Sequence, residues 1–169
     1  MMGRALLIVG AVATVGLVVT GVAGYLYSLD SGGIGTHLTL GLASSLLLLF
    51  SHCWIMFYLI GTGKAIKEAV AEHGLEAEIV ERTKEFKNRS YPSLMLAMML
   101  TMTVFVLGGG VYTRFVPAWI HQLLFYLALI VQLRALRIEQ RVLTENDALM
   151  ASIDRRLAAG GTRPAEVTE

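Results

Sequence analysis

Charge is absent from four stretches of this chain that are each about as long as a bilayer is thick. A hydrocarbon core of about 30 Å takes roughly 20 apolar residues in a helix rising ~1.5 Å per residue. The runs from about Ala5 to Tyr27, His37 to Ile60, Pro92 to Tyr112 and Pro117 to Leu133 meet that length. Backbone groups in lipid must bond within their own segment, and the alternation of a membrane barrel is missing, so the runs are expected to be helices. Over 169 residues only 16% are charged and 55% are hydrophobic, with a mean hydropathy of +0.62. A soluble fold of this size would give every helix a wet face. Here the charges gather in 64–89 and 134–156 instead.

These features predict an all-α fold, a four-helix transmembrane bundle with both chain ends on the cytoplasmic side of a cell (inner) membrane. Of the 14 Lys and Arg residues, only Arg114 falls on the outer side in that orientation, a strong positive-inside asymmetry. Tyr25, Tyr27, Tyr112, Phe115 and Trp119 would mark the outer interface, and Tyr58 and Tyr91 the inner one. The outer connections are short, which makes helices 1–2 and 3–4 antiparallel neighbours. A secretory signal is the competing account of the first run, with Val22-Ala23-Gly24 as its cleavage site. The run of about 23 residues exceeds the 7–15 of a signal, so it is read as a span.

Three regions follow: a membrane domain over 1–135 that includes a helical loop at 63–90, an amphipathic helix over 136–158, and a flexible tail over 159–169. In the loop, Gly74 is the expected break, with Ile66 and Val70 on one face before it and Leu75, Ile79, Thr83 and Phe86 on one face after it. Leu136, Leu143, Met150 and Leu157 recur every seven residues with Ile153 beside them, the apolar face expected of the last helix. These helices either pack on one another or offer a homo- or hetero-oligomeric docking surface. His73, among Glu72, Glu76 and Glu78, reads as a solvated residue.

Polar groups inside spans are costly, so each is a functional candidate. Within the four predicted spans there is no Asp, Glu, Lys or Arg at depth, which argues against a carboxylate proton relay. Histidines remain. His37 opens span 2 and His121 lies four residues into span 4, so both fall near the outer interface. At that level sit Gly21, Gly24, Gly41 and the Gly108-Gly109-Gly110 run. A flat porphyrin fits between helices where side chains are missing, and two neutral imidazoles on opposing helices can ligate its iron. This arrangement points to haem b held by His37 and His121 beside Gly41 and Gly109, with Arg114 and Thr36 near the propionates. The competing account is close helix packing, which uses the same small residues.

His52 lies about 22 Å further along span 2 on nearly the same face. His37, Gly41, Ser44, Ser45, Leu48, His52 and Met56 form one semi-polar stripe. Stacked two-haem cytochromes place histidines on one helix at similar spacing, an analogy of fold alone. Helix 4 offers no second histidine at the inner level, and Gln132 is a poor iron ligand. Met95, Met98, Met99 and Met102 lie in span 3. One inner site would pair His52 with Met102 on a second haem. Another would hold copper(I) between His52, Cys53, Met56 and these methionines. Packing is the bland account of a Met stripe. The one cysteine leaves no disulfide framework.

No catalytic motif is found, and Gly61-Thr62-Gly63-Lys64 lacks the spacing and strand of a phosphate loop. A net charge of +1 without a basic patch argues against a nucleic-acid partner. The function expected is a haem b electron-transfer subunit linked to quinone and a redox partner protein. The alternatives are a non-catalytic anchor or assembly subunit and a copper-binding membrane protein.

Overall fold

A computed structural model describes residues 2–29 and 33–160. The expected tail beyond residue 160 lies outside the described residues, as do three residues of the first connection. The chain forms four α-helices: α1 Met2–Leu29, α2 Ile34–His73, α3 Glu78–Tyr112 and α4 Ala118–Gly160. They run up, down, up and down, with α1 against α2 and α4, α3 against α2 and α4, and α1 and α3 on opposite corners. All four are long and apolar enough to cross a membrane.

α2 and α4 contain 40 and 43 residues, so each is about 60 Å long, roughly twice a bilayer core. The loop helix expected after residue 63 is therefore the uninterrupted continuation of span 2. It ends where predicted: Gly74 takes the left-handed conformation at φ 62°, and its N–H bonds the Val70 carbonyl. At the opposite end, hereafter the turn end, Arg114 takes φ 62° and lets the Phe115 N–H reach the Gly110 carbonyl at 2.8 Å. A left-handed arginine costs on the order of 1 kcal/mol, and it closes α3 tightly enough for α4 to return alongside.

Away from the turn end, at what we call the basic end, α2, α3 and α4 extend past α1 and pack on one another. Ile66, Ile79, Phe86, Leu149 and Ile153 are buried there in one apolar cluster that continues through Val142, Ile55 and Leu59. Tyr58 and Tyr91 pack against this cluster. Both are half-buried, with Tyr58 Oη donating to Asp147 and Tyr91 Oη to the Met56 carbonyl.

The inward line of α4 differs from the expected one. Its buried line runs Ala128, Gln132, Ala135, Glu139, Val142, Asn146, Leu149 and Ile153, alternating steps of four and three, with Leu143 of the expected face buried beside it. That is a coiled-coil seam. Leu136, Met150 and Leu157 flank it, half-buried. Polar residues take every second seam position from Gln132 to Asn146, one heptad apart. On α1 the matching line contains Gly3, Leu6, Gly10, Ala13, Leu17 and Thr20. Glycines on and beside this line let α1 approach closely: a Cβ on Gly10 would lie 3.2 Å from Ser51 Oγ, and one on the neighbouring Gly16 only 2.5 Å from Ser44 Oγ.

Candidate functional site

The seam creates two polar levels in one bundle. Near the turn end, His37 of α2 and His121 of α4 face each other with ring centroids 6.4 Å apart and planes at 89°. Each ring rests on a glycine. A Cβ on Gly24 would stand 2.7 Å from His37 Cε1, and one on Gly108 would stand 3.2 Å from His121 Cε1. His37 Nδ1 lies 3.0 Å from the Thr20 carbonyl of α1. Only an N–H can bond a carbonyl, so in the neutral ring the proton sits on Nδ1 and Nε2 keeps its lone pair. His121 is turned toward the Val104 backbone of α3 without completing a good hydrogen bond from its buried Nδ1.

Beside these rings lies a cavity of about 290 Å³, at the lower edge of the range for small-molecule sites. Its lining includes His37, His121, Gly41, Gly108 and Gly109, which the sequence had grouped, and also Leu17, Ser45, Thr101 and Phe125. Leu38, Phe105 and Val106 of the lining are also exposed on the bundle's outer surface, so the cavity opens sideways between α2 and α3. Thr101 Oγ1, in its wall, is buried with no hydrogen-bond partner. Arg114 is exposed in the α3–α4 turn and is not part of the lining, and Thr36 is likewise exposed.

The second level is His52, fully buried. Each ring nitrogen has a polar neighbour, but only Nε2 is in hydrogen-bond geometry. Nε2 lies 2.9 Å from Gln132 Oε1, and Nδ1 lies 2.6 Å from Glu139 Oε1. Gln132 and Glu139 are themselves fully buried, one heptad apart on either side of the ring. The expectation of no carboxylate at depth is thus corrected. By apolar count span 4 stops at Leu133, yet α4 continues and carries Glu139 inward to the level of His52. Gln132 serves neither as a metal ligand nor as a bystander; it anchors the imidazole.

Hydrogen-bond bookkeeping fixes the polarity of this chain. Thr14 Oγ1 donates its one proton to the Gly10 carbonyl at 2.8 Å. It must therefore accept from Gln132 Nε2, 3.1 Å away, which turns Gln132 Oε1 toward His52. An amide oxygen only accepts, so His52 Nε2 carries a proton. The short contact between Nδ1 and Glu139 then holds one more, either as imidazolium with carboxylate or as imidazole with carboxylic acid. Both forms are neutral overall, which is what burial demands.

The donors proposed around His52 do not converge. Met95, Met99 and Met102 are exposed at 47%, 64% and 45%, on the outer surface of α3. Cys53 is exposed too, its Sγ 3.9 Å from Met98 Sδ. Met56 is half-buried one turn from His52, and its carbonyl receives Tyr91. Among the described residues no group of three or more His, Cys, Asp and Glu side chains is placed to hold a metal ion. The signal that finds Glu139 in the sequence is the seven-residue step Gln132–Glu139–Asn146, legible once Ala128 and Ala135 are taken as inward.

Comparison with protein-family models, with curated proteins and with solved structures finds no match for this chain.

Proposed function

We propose that this chain is an integral membrane redox subunit that holds a flat cofactor, haem b, between His37 and His121. The observation that carries the reading is the opposed histidine pair beside the apolar cavity. Two imidazoles ligating one metal from opposite sides, each about 2 Å from it, have centroids roughly 6 Å apart. The 6.4 Å separation supports this, and perpendicular ring planes are compatible with a shared axis. The Thr20 carbonyl on His37 Nδ1 is the outer-shell bond that orients an imidazole and frees Nε2 for iron. The sideways opening suits a membrane quinol as electron donor, with the orphan Thr101 hydroxyl as a polar contact inside. The excess of Lys and Arg at the basic end favours an orientation with that end, and both termini, on the cytoplasmic side of a cell (inner) membrane. His37 and His121 then lie near the outer surface, where a soluble redox protein would collect the electron.

The test is an absorption spectrum of detergent-purified protein, oxidised and then reduced with dithionite. A Soret band is expected, and it is lost in His37→Ala and in His121→Ala but kept in His52→Gln. Colourless wild-type protein, grown with adequate iron and haem precursor, would sink the proposal.

A second reading is favoured by one observation. The protruding three-helix part pairs Arg89 with Glu145 at 2.5 Å and Arg156 with Glu76 at 3.4 Å across its surface. That gives it a defined outer face for a partner subunit. The chain would then serve as a membrane anchor, and co-purification of a stoichiometric partner with colourless protein would support it.

A further inference from the structure

Beyond the histidine pair, one feature has no role in holding a cofactor: the His52–Glu139 contact. A buried ion pair is a poor stabiliser, because hydrophobic residues of equal volume usually do as well or better. Its chemistry is better suited to a mobile proton. The polarity of the chain Gly10–Thr14–Gln132–His52 fixes one proton on Nε2, so the contact at Nδ1 holds the proton that can leave.

We infer that His52 and Glu139 form a proton-binding couple in the bundle interior, loaded from the basic end. The second oxygen of Glu139 shows how. Glu139 Oε2 and Ser51 Oγ are both buried without a hydrogen-bond partner. Both face the same notch, lying 3.7 Å and 3.2 Å from where a Gly10 Cβ would stand. Leu136 Cδ1 closes the same notch at 3.6 Å, so these are two unbonded polar atoms held against tightly packed backbone. One heptad further toward the basic end, Asn146 Nδ2 is a third buried atom without a partner. Asn146 Oδ1 accepts from Thr62, and the neighbouring Asp147 accepts from Tyr58. Asp147 also lines a cleft of about 240 Å³ between α1 and α4, together with Arg4 and Thr144. Polar atoms thus step from an open cleft up the seam to Glu139, with Leu6 and Leu143 packed beside them.

The charged and titratable groups around the couple are few. From α2 there is Tyr58, from α3 Tyr91, from α4 Asp147 and from α1 Arg4. Arg134, Arg137 and Arg141 lie on the exposed side of α4. None of these contacts His52, so the proton's affinity is set by the pair and by charge in the cavity above. Ser45 of the cavity wall is seven residues from His52, about 10 Å along α2. A negative charge added between His37 and His121, about 22 Å along α2 from His52, would strengthen proton binding by roughly threefold. This use of the proton rests on the redox reading; the couple itself does not.

The test is ¹⁵N-histidine NMR on the full chain in lipid nanodiscs, with the His52 signals assigned by their loss in His52→Asn. Expected at neutral pH are a protonated Nε2 and an Nδ1 carrying a shared proton that exchanges with bulk D₂O. In Glu139→Gln the amide can still donate to Nδ1, so the fold is kept and the shared proton disappears. Asn146→Leu, which removes the next buried polar group toward the basic end, should slow the exchange by at least tenfold. An Nδ1 that is a plain acceptor in the wild type overturns the couple, and unchanged exchange in Asn146→Leu overturns the route. If the protein binds haem, its midpoint potential should fall with rising pH in the wild type and less so in Glu139→Gln. Colourless protein would defeat the redox reading alone and leave the nitrogen signals to decide the couple.

Discussion

The two histidine levels differ in what surrounds the ring. At the turn end, His37 and His121 lie on bare glycine backbone beside an apolar cavity, and only His37 Nδ1 makes a full hydrogen bond. At His52 nothing is spare, since Nε2 is hydrogen-bonded, Nδ1 is held against Glu139 at 2.6 Å, and the residue has no exposed surface. A half-bonded imidazole over an open space is available to a ligand. A saturated one in a packed seam holds protons and fixes geometry. Depth alone would have ranked His52 as the better ligand, and neighbouring groups reverse that ranking.

Substitution should separate the two levels by stability. His52→Leu or Glu139→Leu alone leaves one buried polar partner stranded and should cost about 3–5 kcal/mol. The double Leu variant should recover most of that loss, as measured by equilibrium unfolding in mixed micelles. His37→Leu strands less and should cost under ~2 kcal/mol while removing any bound cofactor. If His37→Leu proved as damaging as Glu139→Leu, the contrast would collapse. Glycines give a smaller and sharper test. Gly21→Ala would put a Cβ 2.6 Å from the Phe125 ring, so about 1–3 kcal/mol is expected from overpacking. Gly109→Ala meets nothing within 4 Å and should change stability by less than ~0.5 kcal/mol, while narrowing the cavity mouth. The smallest effect belongs to the exposed pairs. Arg156→Ala breaks a surface contact to Glu76 and should cost at most ~0.5 kcal/mol in the same assay.

Number, type and order of the helices were legible because lipid makes a coarse demand: length without charge. The Gly74 break was legible for a similarly local reason, since a left-handed position selects glycine. The glycine and histidine set of the cavity could be read by counting depth from the outer ends of the runs. The lower level could not. Leu136, Leu143, Met150 and Leu157 look like a core stripe because they are large and apolar at seven-residue spacing. Leu143 and Ile153 of that face are buried and Met150 and Leu157 pack on the core, but the polar seam runs one position away, through Ala128, Ala135 and Val142 alternating with Gln132, Glu139 and Asn146. Where lipid covers the outside of a bundle, size and hydrophobicity no longer mark the inside; smallness and polarity do. Apolar counting also ended span 4 at Leu133, which put Glu139 outside the region searched for buried charge. The methionines misled by the same logic, since Met95, Met99 and Met102 face outward.

The unbroken length of α2 and α4 has a mechanical consequence. Each of the paired imidazoles near the turn end is mounted on a rod some 60 Å long, with no proline within it. α3 by contrast has Pro92 part-way along. A body gripping the far tips of the two straight rods would have leverage on the spacing between the rings, and any change in that spacing would be felt at the tips as torsion.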